Sequence, residues 1–244
     1  MRADLYLVEH GHFDTRARAQ AAIAAGKVSA NGVTITKPST KIPEGAAIIA
    51  EAAHPWVSRA ALKLVAGLDG FGVDPTDRVC LDVGSSTGGF TEVLLSRGAR
   101  HVYSVDVGRD QLHASLQADR RVTSLEATDA RSLAADMFSE PPSLVVCDAS
   151  FISLLKVIAR PLALSAATSD LTALIKPQFE VGKALIGKGG IVKSEQARND
   201  AIQAVRAGIE GLEGFSVRNM MDSPVEGGDG NREYLLAAAR DHLA

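Results

Sequence analysis

Residues 81–90 read Leu81-Asp82-Val83-Gly84-Ser85-Ser86-Thr87-Gly88-Gly89-Phe90, an apolar strand running into a glycine-rich turn that opens a helix at Thr91. Glycine in such a turn lets the backbone approach a ligand closely. The spacing is neither G-x-G-x-x-G nor G-x-x-x-x-G-K-[ST], which disfavours a dinucleotide pyrophosphate and a nucleoside triphosphate. Asp106 ends the next strand pattern, VYSVDVG, where a carboxylate can accept hydrogen bonds from ribose hydroxyls. The two features together predict an adenosine-containing ligand without a phosphate. On the loop alone, a tight turn without any ligand is the alternative.

Outward from this stretch, helical and strand patterns alternate. RAALKLVAGLDGFG precedes it, and HVYSVDV, a helix to Gln117, VTSLEAT, LVVCDAS, ISLLKVIARPLAL and LTALIK follow. Such alternation predicts an α/β fold, with a mainly parallel sheet and helices on both faces. Ligands of these sheets sit at the carboxyl ends of the strands. Asp148 and Lys176 end the apolar runs SLVVCD and LTALIK, so both charges are expected at that edge.

Residues 1–53 read differently, as a small α+β unit. Leu5, Leu7 and Val8 begin one helix and Gly11 ends it; Asp14 or Thr15 caps a second, carrying Ala19, Ala22 and Ile23. Asn31-Gly32 within VSANGVTIT is a hairpin signal, with a later strand around AAIIA. Residues 54–57 are expected as a linker, with Trp56 as a packing anchor in preference to a base-stacking residue, and 58–244 as the second domain.

Composition excludes several classes. The 244 residues are 46% hydrophobic and 23% charged, the balance of an ordinary globular protein, with no run of about 20 apolar residues to span a membrane. The N-terminus lacks the apolar run of an export signal, so a cytoplasmic location is expected. Cys80 and Cys147 lie in apolar strand patterns without zinc spacing, which predicts buried reduced thiols and no metal. Residues 1–60 carry a net +2, while the whole chain carries −3. A basic front on an acidic body is compatible with phosphate contact by the front alone.

The run DVGSSTGGFTEVLL resembles the cofactor loop of the 2′-O-methyltransferases related to FtsJ. WVSRAALKL, CDASFISL, IKPQFEVGK and GNREYLL resemble motifs of the TlyA family of ribosomal RNA methyltransferases, in the same order. The front resembles an S4 RNA-binding domain in R-x-D-L-x-L, Arg16-x-Arg18-Ala19, Gly26-Lys27-Val28, Asn31-Gly32 and Lys37-Pro38. The resemblance implies a Rossmann-like methyltransferase sheet behind an S4-like domain, S-adenosylmethionine as cofactor and a catalytic tetrad of Lys63, Asp148, Lys176 and Glu233. Asp82, Gly84, Ser85, Ser86, Thr87, Gly88, Gly89, Phe90 and Asp106 are then expected at the cofactor, with Asp129 at the adenine edge.

The implied reaction is attack of a ribose 2′-OH on a sulfonium methyl. A hydroxyl is a poor nucleophile until its proton is removed, and Lys176 is the candidate to take it. That requires a neutral amine, favoured by burial or by a cation such as Lys63. Asp148 and Glu233 pull the other way, so the four form one coupled group in which either lysine can be the base. Arg2, Arg16, Arg18, Lys27 and Lys37 are expected on phosphates, with Arg59, Lys183 and Lys188, the last two in the glycine-rich run KALIGKGGIVK, as further RNA contacts. The expected partner is ribosomal RNA or a ribosomal subunit. Within the family the chain ends resemble the shorter type, which implies a cytidine of the large subunit. Rival readings are an RNA-binding protein without catalysis, a methyltransferase of another substrate class, and a haemolysin, a label that relatives have carried. No segment of the sequence suits a pore.

Overall fold

The hydrophobic spacing of the N-terminal residues yields α1 (Ala3–Glu9), which buries Ala3, Tyr6 and Leu7. This i, i+3, i+4 stripe leaves Leu5, expected on the inner face, 39% exposed. Of the two candidate caps, Thr15 opens α2 (Arg16–Ala24) by accepting from the Arg18 N–H, while Asp14 pairs with the Arg18 guanidinium. Strand β1 (Val28–Ala30) turns back through Asn31 and Gly32, both with positive φ, into β2 (Val33–Thr34). Its other edge pairs with β3 (Ile48–Ala50), giving the antiparallel order β2-β1-β3. Asp4 is a buried carboxylate that accepts from Arg2, Arg16 and Gln20. The Arg2 hydrogen bonds, reinforced by those from Arg16 and Gln20, hold it far below the usual carboxylate range despite burial.

This structure is a computed structural model that describes residues 1–227 and 230–241. It divides the chain between Pro55 and Trp56. Trp56 and Val57, expected in the linker, pack against the core of the second unit, and the Val57 N–H donates to Glu92 at 2.6 Å.

The second unit runs α3 (Ala61–Phe71), β4 (Val79–Val83), α4 (Gly89–Ser96), β5 (His101–Val105), α5 (Ala114–Gln117), β6 (Val122–Leu125), β7 (Leu144–Cys147), α6 (Leu154–Ala163), β8 (Ser169–Ile175), α7 (Pro177–Glu180), α8 (Glu195–Glu210), β9 (Phe215–Asp222) and β10 (Tyr234–Arg240). The sheet order is β6-β5-β4-β7-β8-β10-β9. Strands β4 to β8 are parallel, and β10 is antiparallel to both β8 and β9.

Alternation along the strands supplies the two cores. Leu81, Tyr103, Val145, Leu171 and Leu236 face α6 and α8, whereas Cys80, Val102, Val146, Leu174 and Leu235 face α3 and α4. Burial pushes the thiols of Cys80 and Cys147 up to about 12, so both behave as small apolar groups. Helix α6 has no side-chain cap of its own, and Glu180 of α7 accepts its Leu154 N–H at 2.7 Å. That bond ties the segment after β8 to the segment after β7, where the charged site lies.

Candidate active site

The glycine turn is set by one close approach. Gly84 follows β4 with φ 81°, and a Cβ there would stand 2.9 Å from the Ala149 backbone. Ser86 also takes a left-handed conformation, and its N–H donates to Asp106 Oδ2 at 2.8 Å. Asp106 Oδ1 accepts from the Gly108 N–H at 2.7 Å. Each oxygen of Asp106 keeps a lone pair for a ligand, so the carboxylate both organises the loop and faces the cavity.

Two neighbouring cavities open on this edge. The larger, about 570 Å³, is lined by Gly84, Ser86, Asp106, Asp129, Asp148 and Phe151 among others, and its volume suits a nucleoside-sized ligand. The smaller, about 260 Å³, is lined by Arg59, Ser85, Thr87, Gly89, Phe90 and Lys176 with their neighbours. Arg59, expected on RNA, therefore shares a wall with the glycine loop and Lys176. No cluster of His, Cys, Asp or Glu able to hold a metal occurs among the described residues.

Two expected cofactor contacts, Asp82 and Gly88, need correction. Asp82 lines neither cavity; it is fully buried beneath the loop, where Thr91 Oγ1 donates to it at 2.7 Å. Burial pushes its carboxyl up to about 7, so it acts on the loop from below. Gly88 also lies outside both cavities; a Cβ there would strike Leu112 and Leu116, so that glycine is required by packing. Asp129 does face the larger cavity, but its carboxylate accepts from Arg131 Nε at 2.9 Å and Nη2 at 2.5 Å and caps the 3-10 turn Ala130–Ser132. Its acceptors are largely occupied by Arg131, which holds it below the usual range.

The four charges form two ion pairs. Lys176 Nζ is 2.7 Å from Asp148 Oδ1 and donates to Ser150 Oγ at 2.7 Å. Lys63 Nζ donates to Glu233 Oε2 at 2.5 Å, with both side chains buried. The strands bring them together: Asp148 follows β7, Lys176 follows β8, and Tyr234 pairs with Ile175, which sets Glu233 beside Lys176 in the ladder. Lys63 reaches the same edge from α3. Its charge is paired with Glu233.

Sequence reasoning missed three residues here. Glu126 accepts from the N–H groups of Asp110, Gln111 and Leu112 and so fixes the loop after Asp106. Its partners are backbone groups, which leave no sequence signal. Phe151, next to Ser150, is 91% exposed with φ 65°, its ring 5.3 Å from that of Phe179. An exposed aromatic ring on a left-handed backbone at a cavity wall is a candidate contact for a substrate. The third, Asn231, is buried beneath the Lys188 turn.

In the front unit, Arg2 and Arg16 are anchored on Asp4 with their side chains half exposed. Arg18 and Lys27 form exposed pairs with Asp14 and Glu51, contacts weak enough for a phosphate to displace. Lys37 has no carboxylate partner among the described residues, and Lys183 and Lys188 are exposed.

Residues 56–240 match the FtsJ-like methyltransferase family, and residues 1–48 match the S4 domain. The 16S/23S rRNA (cytidine-2′-O)-methyltransferase TlyA of Mycobacterium tuberculosis is 43% identical over 96% of this chain and 88% of its own. The 23S rRNA (cytidine-2′-O)-methyltransferase TlyA of Campylobacter jejuni is 38% identical over 74% of this chain and 69% of its own. A solved structure from Streptococcus thermophilus that carries a hemolysin name superposes with a TM-score of 0.78 at 36% identity, covering 98% of this chain and 88% of the other.

Proposed function

Since the chain belongs to the TlyA family of FtsJ-like methyltransferases that carry an S4 domain, we propose that it methylates the ribose 2′-OH of a cytidine in ribosomal RNA. The observation that carries this reading is the pair of buried ion pairs at the strand ends, Lys176–Asp148 and Lys63–Glu233. Taking four charges out of water is costly. A protein that only bound RNA would gain nothing from Lys176 and Asp148 in the cavity walls or from the buried Lys63–Glu233 pair.

The larger cavity fits S-adenosylmethionine. The close approach of Gly84 to the Ala149 backbone shapes its wall, Asp106 retains acceptor capacity for ribose hydroxyls, and the loop lacks the spacing of a phosphate site. When bound, the cofactor supplies an electrophilic methyl group on a sulfonium.

The chain's own residues do the rest. Lys176 Nζ, reached from the smaller cavity, would take the proton that the 2′-OH gives up on methylation. Asp148, 2.7 Å from that amine, orients it and stabilises the charge it gains with the proton. Ser150 Oγ and the Asp148 carbonyl hold that amine in place, and orientation of the ribose contributes alongside proton transfer. Phe151 offers its face to a base turned out of its stack. Replacing it with alanine should cost about ten- to hundredfold in kcat/KM on RNA and leave cofactor affinity within a few-fold, read by calorimetry. An unchanged rate would remove the stacking role.

The front unit, through Arg2, Arg16, Arg18, Lys27 and Lys37, supplies phosphate contacts that orient the substrate without reading sequence. Deleting residues 1–55 while keeping Trp56 should preserve cofactor binding and collapse methylation of ribosomal subunits; full activity of the shortened chain would refute this division of labour. The large subunit is the favoured target, because 23S RNA is in the names of both relatives above. Primer extension on each purified subunit tests this, with a 2′-O-methyl stop expected in the large-subunit RNA. Methylation in the cytoplasm, where ribosomes assemble, follows from that substrate. For a lytic role there is the hemolysin name of the Streptococcus thermophilus structure above, whereas no helix among the described residues is long and apolar enough to cross a membrane.

A further inference from the structure

Lys188 begins a turn whose shape glycine dictates. Gly189 and Gly190 have φ of 77° and 80°. The Gly190 N–H bonds to the Gly187 carbonyl at 3.1 Å, and the Gly187 N–H to the Ile191 carbonyl at 2.9 Å. Beyond these bonds, the Asn231 side chain, from a later segment, holds the turn, while Arg198 donates to the Val192 and Lys193 carbonyls just after it. Asn231 is buried; its Nδ2 donates to the Gly190 carbonyl at 3.0 Å, and its Oδ1 accepts from the buried Val192 N–H at 3.0 Å. The Asn231 carbonyl in turn accepts from the Gly227 N–H at 2.9 Å. A Cβ on Gly227 would come within 2.6 Å of Glu233 Oε1. Two residues beyond Asn231, Glu233 meets Lys63. One buried amide therefore joins the exposed basic turn to the segment that delivers one member of the tetrad.

We propose that Asn231 is a positioning residue that locks the Lys188 turn to the Glu233 segment, so that a phosphate held at Lys188 and the ribose presented to the tetrad stay in fixed register. The inference rests on the RNA-methyltransferase reading. Its physical basis is that reacting groups misplaced by about 1 Å lose much of the benefit of proximity, and an exposed glycine turn does not hold such a position unaided. Both ends of the amide are used. Asn231→Asp keeps the acceptor for Val192 and loses the donor to Gly190, whereas Asn231→Ala loses both.

The test is a double-mutant cycle of Asn231→Ala with Lys188→Gln, reading KM for purified ribosomal subunits, kcat, and cofactor affinity by calorimetry. Asn231→Ala should raise KM about tenfold, with a smaller fall in kcat and cofactor affinity within about twofold, and Asn231→Asp should fall between it and wild type. Lys188→Gln should cost about threefold in KM in the wild type and almost nothing once Asn231 is gone. Additive effects, or a loss of kcat and cofactor affinity at unchanged KM, would overturn the inference. Should Asn231→Ala not fold, the same cycle with Asn231→Asp decides. A wild type that leaves both subunits unmethylated would sink the functional reading instead. The cycle read as filter binding to the subunits would then still decide whether Asn231 positions Lys188.

Discussion

Replacing Lys176 with alanine should reduce methyl transfer to ribosomal RNA by about 10²–10⁴-fold, the range associated with removal of a positioned base, while cofactor affinity stays within several-fold. Lys176 lines the smaller cavity and not the larger one, so the loss belongs to the hydroxyl and not to cofactor recognition. The substitution also strands Asp148, whose partner lies 2.7 Å away. Breaking a buried pair can cost about 3–5 kcal/mol, although Asp148 retains some solvent contact, which lowers that figure. Thermal melting must therefore accompany the kinetics: a variant that melts like wild type yet fails to methylate locates the effect in chemistry. Near-normal turnover would remove Lys176 from the mechanism and shift attention to Lys63, paired with Glu233.

Gly84→Val should abolish cofactor binding, for a reason the structure changes. From the sequence, glycine in this turn is expected to let the backbone approach the ligand closely. In the fold, the first atom of any side chain already stands 2.9 Å from the Ala149 backbone and 3.1 Å from the Asp148 carbonyl carbon. A left-handed backbone adds about 1–2 kcal/mol of strain for an L-residue. Relief requires the loop or the 148–150 segment to move, so the cofactor cavity and Asp148 are displaced together. Calorimetry should register no binding and the methylation assay no product. Gly182→Ala is the internal control, since no atom lies within 4 Å of its Cβ. Unchanged affinity of Gly84→Val would show that the loop does not cradle the ligand.

Much of this arrangement was legible in the sequence because it depends on local pattern. The alternation of apolar runs from Ser58 gave the parallel strands, and Asp148 and Lys176 could be assigned to the carboxyl edge simply because they end such runs. The Asn31-Gly32 hairpin was legible for the same reason. The antiparallel pair β9 and β10 was not anticipated as a hairpin, yet it carries Glu233 to the edge. Partner choice was least legible. That Lys63 would meet Glu233, 170 residues away, follows from sheet order and not from spacing. Asp129 reads as a free strand-end acceptor until Arg131, two residues on, is seen to fold back onto it. Asp4 reads as a surface acid of a short helix, yet it is the buried anchor that orients two arginines otherwise assigned only to RNA. Asn231 sits inside a recognisable motif, but its partners are backbone groups of a loop about 40 residues earlier in the chain, and backbone groups leave no trace in side-chain patterns.

The central claim is tested most directly by incubating the protein with methyl-labelled S-adenosylmethionine and purified large and small ribosomal subunits, digesting the RNA to nucleosides and identifying the labelled species by mass spectrometry. The account predicts 2′-O-methylcytidine from large-subunit RNA. Label on a base or on ribosomal protein, or none in either RNA while the protein binds the cofactor, would contradict it.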